Sequence, residues 1–498
     1  MIKVKLFKLK NKFSKKVNNS GYGNHGANRY KKSLIGWITS SGSPKEDIDD
    51  NLETLRQRSR DLYMGGAPIA TGAIKTIRTN VVGGGLRLKA RLDTDVLNLS
   101  DDEAEAKERE FEREFAIWSE SKFCDAERKN NFYELQQLAI LSQLLSGDAF
   151  VLLPAIKKYN FPYDISIQLI ESDRIRTPNS KMNDKNIISG IEFGKYGEPK
   201  AYYICKKHPG STSSIFGEEY QKVPAYGKNT GLANVIHIME SERPGQTRGV
   251  PVLATVIEPL KQLGRYTDAE LMAAVVSGMY TIFIEMEKEN FESPMFGESI
   301  VEEDRIDDLD PNTIEIGNGA VVQLGPGEKA RETNPGRPNT AFDGFVSSIC
   351  KQMGASLEIP YDLLMKQFDS SYSASRAALL EAWKMFKMRR EWIISDFCQP
   401  IYEQWLTEAV AKGRVEAPGF FDDPIIHKAY CGSEWSGPTQ GQLDPLKEVN
   451  AAARRVEEGF STRSRETTEL TGGDYYQNMR QSKKEERLRG GELDNENN

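Results

Sequence analysis

The chain has 498 residues, 38% hydrophobic and 28% charged, with a net charge of −7; that length predicts more than one packed unit. An acidic balance argues against a strong clamp on duplex DNA, because sequence-independent affinity comes largely from Lys and Arg on phosphates. No apolar run reaches the ~18–20 residues of a membrane-spanning helix. The basic first 34 residues lack the apolar core of a signal peptide, so secretion is not expected. The cysteines (Cys124, Cys205, Cys350, Cys398, Cys431) are odd in number and form no CxxC pair, which predicts free thiols in a reducing compartment. The histidines (His25, His208, His237, His427) are too isolated to suggest zinc.

Residues 1–50 are basic, then rich in Gly, Ser and Asn, and read as a flexible arm. Two readings of it stay open: a solvated tail, or an arm that touches a partner protein or DNA. Helical pattern begins near Asn51, stops at Gly65-Gly66, restarts at Pro68 and stops again at Gly83-Gly84-Gly85. Residues 86–92 alternate as a strand. A charged helix is predicted over 101–120, with Phe111, Phe115 and Trp118 on one side, and another over 132–146. From Ala149 to Ile238 short strands alternate with turns, which predicts an α+β domain.

A helix over 252–278 carries a stripe of Val256, Leu260, Leu263, Thr267, Leu271 and Ala274, with Pro259 expected to kink it. TIFIEM, an acidic stretch, TIEIG and AVVQLG form a small strand-rich insertion that ends in a Gly/Pro-rich run near 325–338. A helix over 341–356 and a loop over 357–373 lead into the longest helix, 375–411, about 55 Å at 1.5 Å per residue. Leu379, Trp383, Phe386, Ile393, Phe397, Ile401 and Trp405 line one face of it, and Pro400 is expected to bend it. Beyond Lys447 the chain is helical and charged, and the closing GGELDNENN is expected to be disordered.

None of this carries a catalytic signature. The glycines at 83–85 lack the GxxxxGKS/T of a phosphate loop and read as a helix stop. The acids Glu298, Glu302, Glu303, Asp304, Asp307, Asp308 and Asp310 could hold Mg²⁺ for phosphoryl transfer. With few apolar residues to fix them, they read better as a solvated surface or as a docking face for a basic partner. Ser356 in GASLEIP has no GxSxG elbow. Lys384, Lys387, Arg389 and Arg390 suit either DNA phosphates or salt bridges between subunits through Glu381, Glu391 and Asp396. Residue by residue, the reading ends at a multidomain α+β assembly protein.

Several segments, in order, resemble the lambda-type portal family of tailed phages: RDLYMGGAPIATGAIKTIRTNVVGGGLRL (60–88), LIESDRIRTP (169–178), HIMESERPGQTRGVPVLATVIEPLKQLGRYTDAEL (237–271), MGASLEIPYDLLMKQFDSSYSASRAALLEAW (353–383) with FCQPIYEQWLTEAVAKG (397–413), and EWSGPTQGQLDPLKEVNAAARRVEEGFST (434–462) with GGDYYQNMRQ. The resemblance implies a non-enzymatic α+β multidomain portal fold with a long kinked helix, twelve copies closing a ring around a DNA channel at the capsid vertex. It implies assembly in the host cytoplasm and no cofactor or metal.

Mapped onto this chain, it places a wing at 51–250, a stem helix at 251–278, a β-rich clip at 279–340, a second stem helix at 341–356, a channel loop at 357–373, the long helix and wing return at 374–446, and a crown and charged tail at 447–498. Implied partners are further copies of the chain, transiently and non-specifically bound double-stranded DNA, the large terminase, a head–tail connector protein, and the major capsid or scaffold protein. In the channel loop Lys366 is the expected phosphate contact, with Ser370, Ser371 and Ser373 as polar neighbours; Glu302, Glu303, Asp304, Asp307 and Asp308 form the expected clip docking face. The alternatives are a metal-dependent DNA-processing nuclease built on the 298–310 acids and another capsid or connector protein.

Overall fold

The computed structural model describes residues 32–34, 36–37, 42–211, 219–278, 282–286, 328–332, 341–369, 371–441 and 444–495. Helix α1 (Asp50–Asp61) closes through a wider turn at Leu62–Gly66, and α2 (Pro68–Val81) opens on Pro68, where a missing N–H costs nothing. The glycine run ends α2: Gly83 and Gly85 take φ values of 57° and 110°, which a side chain would resist. Strand β1 (Arg87–Ala90) and the short α3 (Thr94–Leu97) follow. Next come α4 (Asp101–Ser119) and α5 (Phe132–Ser146), each opened by a capping box, Ser100 with Glu103 and Asn131 with Glu134.

The strand-rich stretch makes two antiparallel sheets. Strands β2 (Asp148–Leu152), β3 (Gln168–Ile170) and β8 (Val235–Met239) pair in the order β3-β2-β8. Strands β4 (Ile187–Ile188), β5 (Ile191–Phe193), β6 (Pro199–Cys205) and β7 (Tyr220–Pro224) form a meander. Phe150, Ile170, Ile191, Tyr202 and Val235 share the small core between them. Strand β7 was not anticipated; it is an edge strand with largely exposed residues and so lacks a strong alternation.

Helix α6 (Ile257–Gly278) begins after a tight turn at Ala254–Val256. Pro259 therefore lies in its first turn, and the expected kink has no cause there, since no internal hydrogen bond is lost. Strands β9 (Ile282–Met286) and β10 (Glu328–Glu332) pair antiparallel, Ile282 opposite Glu332 and Met286 opposite Glu328, and close the insertion at its base. Strand β10 falls inside the run expected to be a Gly/Pro loop; TIEIG and AVVQLG lie outside the described residues.

Helix α7 (Phe342–Ser356) returns beside α6, with Phe342 and Phe345 on Tyr266 at 5.5 and 4.9 Å between ring centroids. The segment 357–373, expected as a loop, contains the helix α8 (Tyr361–Met365), because Leu364 is buried in the main core. Helix α9 (Tyr372–Ile393) runs through a wider turn at Ile394–Cys398 into α10 (Gln399–Ala411). The irregularity precedes Pro400, as expected where a proline ring would crowd the carbonyl one turn back.

Helix α11 (Pro424–Tyr430) leads to β11 (Ser433–Ser436), which pairs with β1, Trp435 opposite Leu88. Three helices end the chain: α12 (Pro445–Glu457), α13 (Arg463–Thr471) and α14 (Tyr475–Asn495). The last runs through Gly490 and Gly491, so the disorder expected from residue 490 does not hold up to Asn495.

The main core is aromatic. Phe115 lies 5.0 Å from Trp405, 5.5 Å from Trp118 and 5.6 Å from both Phe132 and Tyr402, while Phe132 stacks on Phe397 at 5.7 Å. The predicted faces of α4 and of α9–α10 thus meet each other. All five cysteines are buried free thiols.

The β-sheet region is tied to α1 by one buried carboxylate. Asp148, 0% exposed, accepts from Arg56 Nη2 (2.8 Å), Arg248 Nε (2.6 Å), Arg248 Nη2 (3.3 Å) and the Gly249 N–H (3.2 Å), with His237 Nε2 at 3.3 Å. Arg248 also donates to the carbonyls of Ser172, Ile175 and Ser189. The approach needs glycine on both sides: a Cβ on Gly249 would sit 1.9 Å from the Gly147 oxygen. Burial alone would raise the Asp148 carboxyl, but Arg248, Arg56 and His237 outweigh it and hold it well below the usual range.

A carboxylate depressed in the folded state stabilises above its unfolded pKa, and that contribution is lost as pH falls through the folded value. Asp148→Ala leaves two buried guanidinium groups without their anion and should cost about 3–5 kcal/mol in denaturant melts. It should also flatten the loss of stability on acidification below about pH 4. A variant as stable as the parent would show that the cluster does not hold this region.

Candidate functional site

The turn from α7 to α9 was expected to meet DNA. Its first half is fixed: Leu357 and Ile359 are buried, and a Cβ on Gly354 would sit 2.6 Å from the Ile359 oxygen. Tyr361 is held by Ser347 at 3.1 Å between hydroxyls and by Lys351 over its ring at 5.3 Å. Lys366 ends α8 in a left-handed conformation, φ 55°, which reverses the chain. The exposed tip is therefore Lys366, Gln367, Phe368 and Asp369, where Gln367 donates to Asp369.

Lys366 makes no ion pair among the described residues, so neither Asp362 nor Asp369 neutralises it. Ser371 caps α9, its hydroxyl accepting from the Ala374 N–H at 3.4 Å, and Ser373 is an exposed residue of the first helical turn. Ser370 lies outside the described residues. So do Glu302, Glu303, Asp304, Asp307 and Asp308 and the neighbouring acids of 298–310. Phe368, 52% exposed, was missed; the signal was a single large apolar residue among polar ones.

Helix α7, which leads into this turn, packs beside α6. The apolar stripe of α6 is only half covered: Val256, Leu260 and Leu263 are buried, whereas Leu271 is 64% exposed. Met272 and Val275 beside it, and Phe345 on α7, are exposed as well. Among the described residues these side chains form an uncovered apolar ridge.

The basic cluster of α9 does not act as a unit. Lys384 pairs with Glu381 at 2.6 Å and Arg389 with Glu240 at 3.1 Å. Arg390 donates to the carbonyls of Asn80 (2.8 Å), Val81 (2.9 Å) and Pro438 (2.8 Å), capping the end of α2 from across the core. Those contacts lie within one chain, and the acid that Arg389 pairs with is Glu240, not Glu391 or Asp396.

The Asp148 cluster was also missed, and only the glycines beside Asp148 and Arg248 hint at it. Glu171, Asp173 and His208 bring three possible ligand atoms within 4.8 Å of one another. Arg60 already pairs with both acids, so a cation there would meet a resident positive charge. Arg390→Met should lower stability by about 2–3 kcal/mol, since bonds to a charged donor are worth more than neutral ones. The same change at exposed Lys387 should stay within about 0.5 kcal/mol. Equal urea midpoints for the two variants would remove Arg390 from this capping role.

Portal protein B of Escherichia phage lambda is 25% identical over 465 residues, covering 89% of this chain and 86% of that protein. The portal protein of Escherichia phage N15 is 24% identical over 466 residues, covering 90% and 86%. Among solved structures, a chain in the neck of a native gene transfer agent particle aligns over 82% of this chain and 92% of its own length, at 13% identity and a TM-score of 0.43. The family described as "Phage portal protein, lambda family" matches residues 30–390. The chain belongs to the lambda family of phage portal proteins.

Proposed function

We propose that copies of this chain close into a ring, twelve in the assembled particle, and that double-stranded DNA passes its axis during packaging and ejection. The portal function and the place at the capsid vertex come with the family. The single observation that carries the ring is the half-covered stripe of α6. Among the described residues nothing buries Leu271, Met272 and Val275, and a neighbouring copy would supply apolar surface of the same kind. Portal proteins are structural, and this chain has no phosphate loop. On this reading it has no enzymatic activity and needs no cofactor; the large terminase supplies the work, and a head–tail connector protein later takes its place.

In that ring the Lys366–Asp369 tip faces the channel. Low friction requires few phosphate contacts, since salt-dependent affinity grows with each one. One unpaired cation per copy, beside Ser370, Ser371 and Ser373, guides DNA without locking it. Rings of Lys366→Ala should look like the parent by negative-stain microscopy, while particles built from it should lose packaged DNA. Full-length DNA held by both Lys366→Ala and a deletion of Gln367–Ser371 would move the channel elsewhere in the molecule.

The acids Glu302, Glu303, Asp304, Asp307 and Asp308 we assign to docking. Like charges repeated around a ring repel one another and gain most when a basic surface covers them. Reversal of Glu302, Glu303 and Asp304 to Lys should weaken terminase or connector binding in pull-down titrations and leave rings intact. Unchanged affinity for both partners argues against this face. The capsid or scaffold protein would meet the ring elsewhere.

A further inference from the structure

Helix α14 (Tyr475–Asn495) carries a second exposed basic element. Arg480, Lys483, Lys484 and Arg487 recur at the three- and four-residue spacing that places them on one face. Arg480 shares Glu105 of α4 at 3.5 Å; Lys483, Lys484 and Arg487 have no acidic partner among the described residues. Glu485 and Glu486 fall off this face by the same spacing. The helix is anchored near its start, where Asp474 pairs with Lys89, and every side chain from Tyr476 to Arg489 is exposed. A helix this charged, with Tyr476, Met479 and Leu488 also exposed, buries little against its own chain.

We infer that this face of α14 binds the phosphate backbone of duplex DNA, independently of sequence. From Arg480 to Arg487 the helix rises about 10 Å, over which a duplex presents about six phosphate charges. A row of one sign matches that line of charge. It suits a second copy of the chain less well, because interface cores are depleted in Lys. The inference rests on the reading that the subunit meets DNA, but it concerns a different element from the Lys366 tip. Failure of the channel reading shows in genome retention by Lys366→Ala particles, in which this helix is unchanged.

The test uses the full chain and a 30-base-pair duplex of arbitrary sequence. Combined Arg480→Gln, Lys483→Gln, Lys484→Gln and Arg487→Gln should make the slope of log affinity against log salt shallower by about 3–4, at about 0.9 per phosphate contact. The basic segment 1–34 contributes equally to both proteins, so the difference isolates the face. In the parent protein, DNA should slow chemical acetylation of Lys483 and Lys484 several-fold, read by mass spectrometry, and leave exposed Lys228 unchanged. An equal slope with equal labelling overturns the inference. So does protection that rises with protein concentration alone and does not change on adding DNA, which would assign the face to a second copy.

Discussion

Asp148 is the constraint on which the arrangement of the sheet region depends. A fully buried carboxylate is tolerated only if its charge is matched and its lone pairs are filled. Here the donors come from three separate stretches of chain: Arg56 on α1, His237 on β8, and Arg248 with the Gly249 N–H before α6. Arg56 in addition donates to the Ser146 carbonyl at the end of α5. Each group is satisfied only when all the stretches are in place. The cluster thus links the sheets to the point from which α6 departs, and the facing glycines at 147 and 249 are the steric condition for it.

The second organising element is the continuous run of α9 and α10. Its lower half supplies Phe397, Ile401 and Trp405 to the aromatic core, and its upper end begins at the exposed tip after α8. Leu357, Ile359 and Leu364 enter the same core from the other side of that tip. The four exposed residues are therefore carried between two anchored ends. Such a segment moves locally without disturbing its supports. In the proposed ring, this geometry would present the tip at a constant radius while leaving its side chains free to adjust.

Charge is distributed in keeping with a conduit. Much of the basic content near the core is consumed internally: Arg248 and Arg56 by Asp148, Arg390 by carbonyls, Arg389 by Glu240. Lys366 and, on α14, Lys483, Lys484 and Arg487 are cations left without an acidic partner among the described residues, while Arg480 shares Glu105.

The sequence by itself determined what depends on neighbours along the chain. Pro68 and the glycines at 83–85 set the limits of α2, the spacing from Leu379 to Trp405 defined the face of the long helix, and unpaired cysteine spacing implied free thiols. The ordered segments from 60 to 481 were enough for the family. Tertiary structure alone decided what depends on distant residues. Strand β11 exists because β1 is there to pair with it, and α8 forms inside a presumed loop because Leu364 finds the core. Asp148, Arg248 and Arg390 read along the chain as ordinary surface charges. A charge is solvated by default, and only the folded arrangement shows whether an opposite charge or a row of carbonyls has replaced the water.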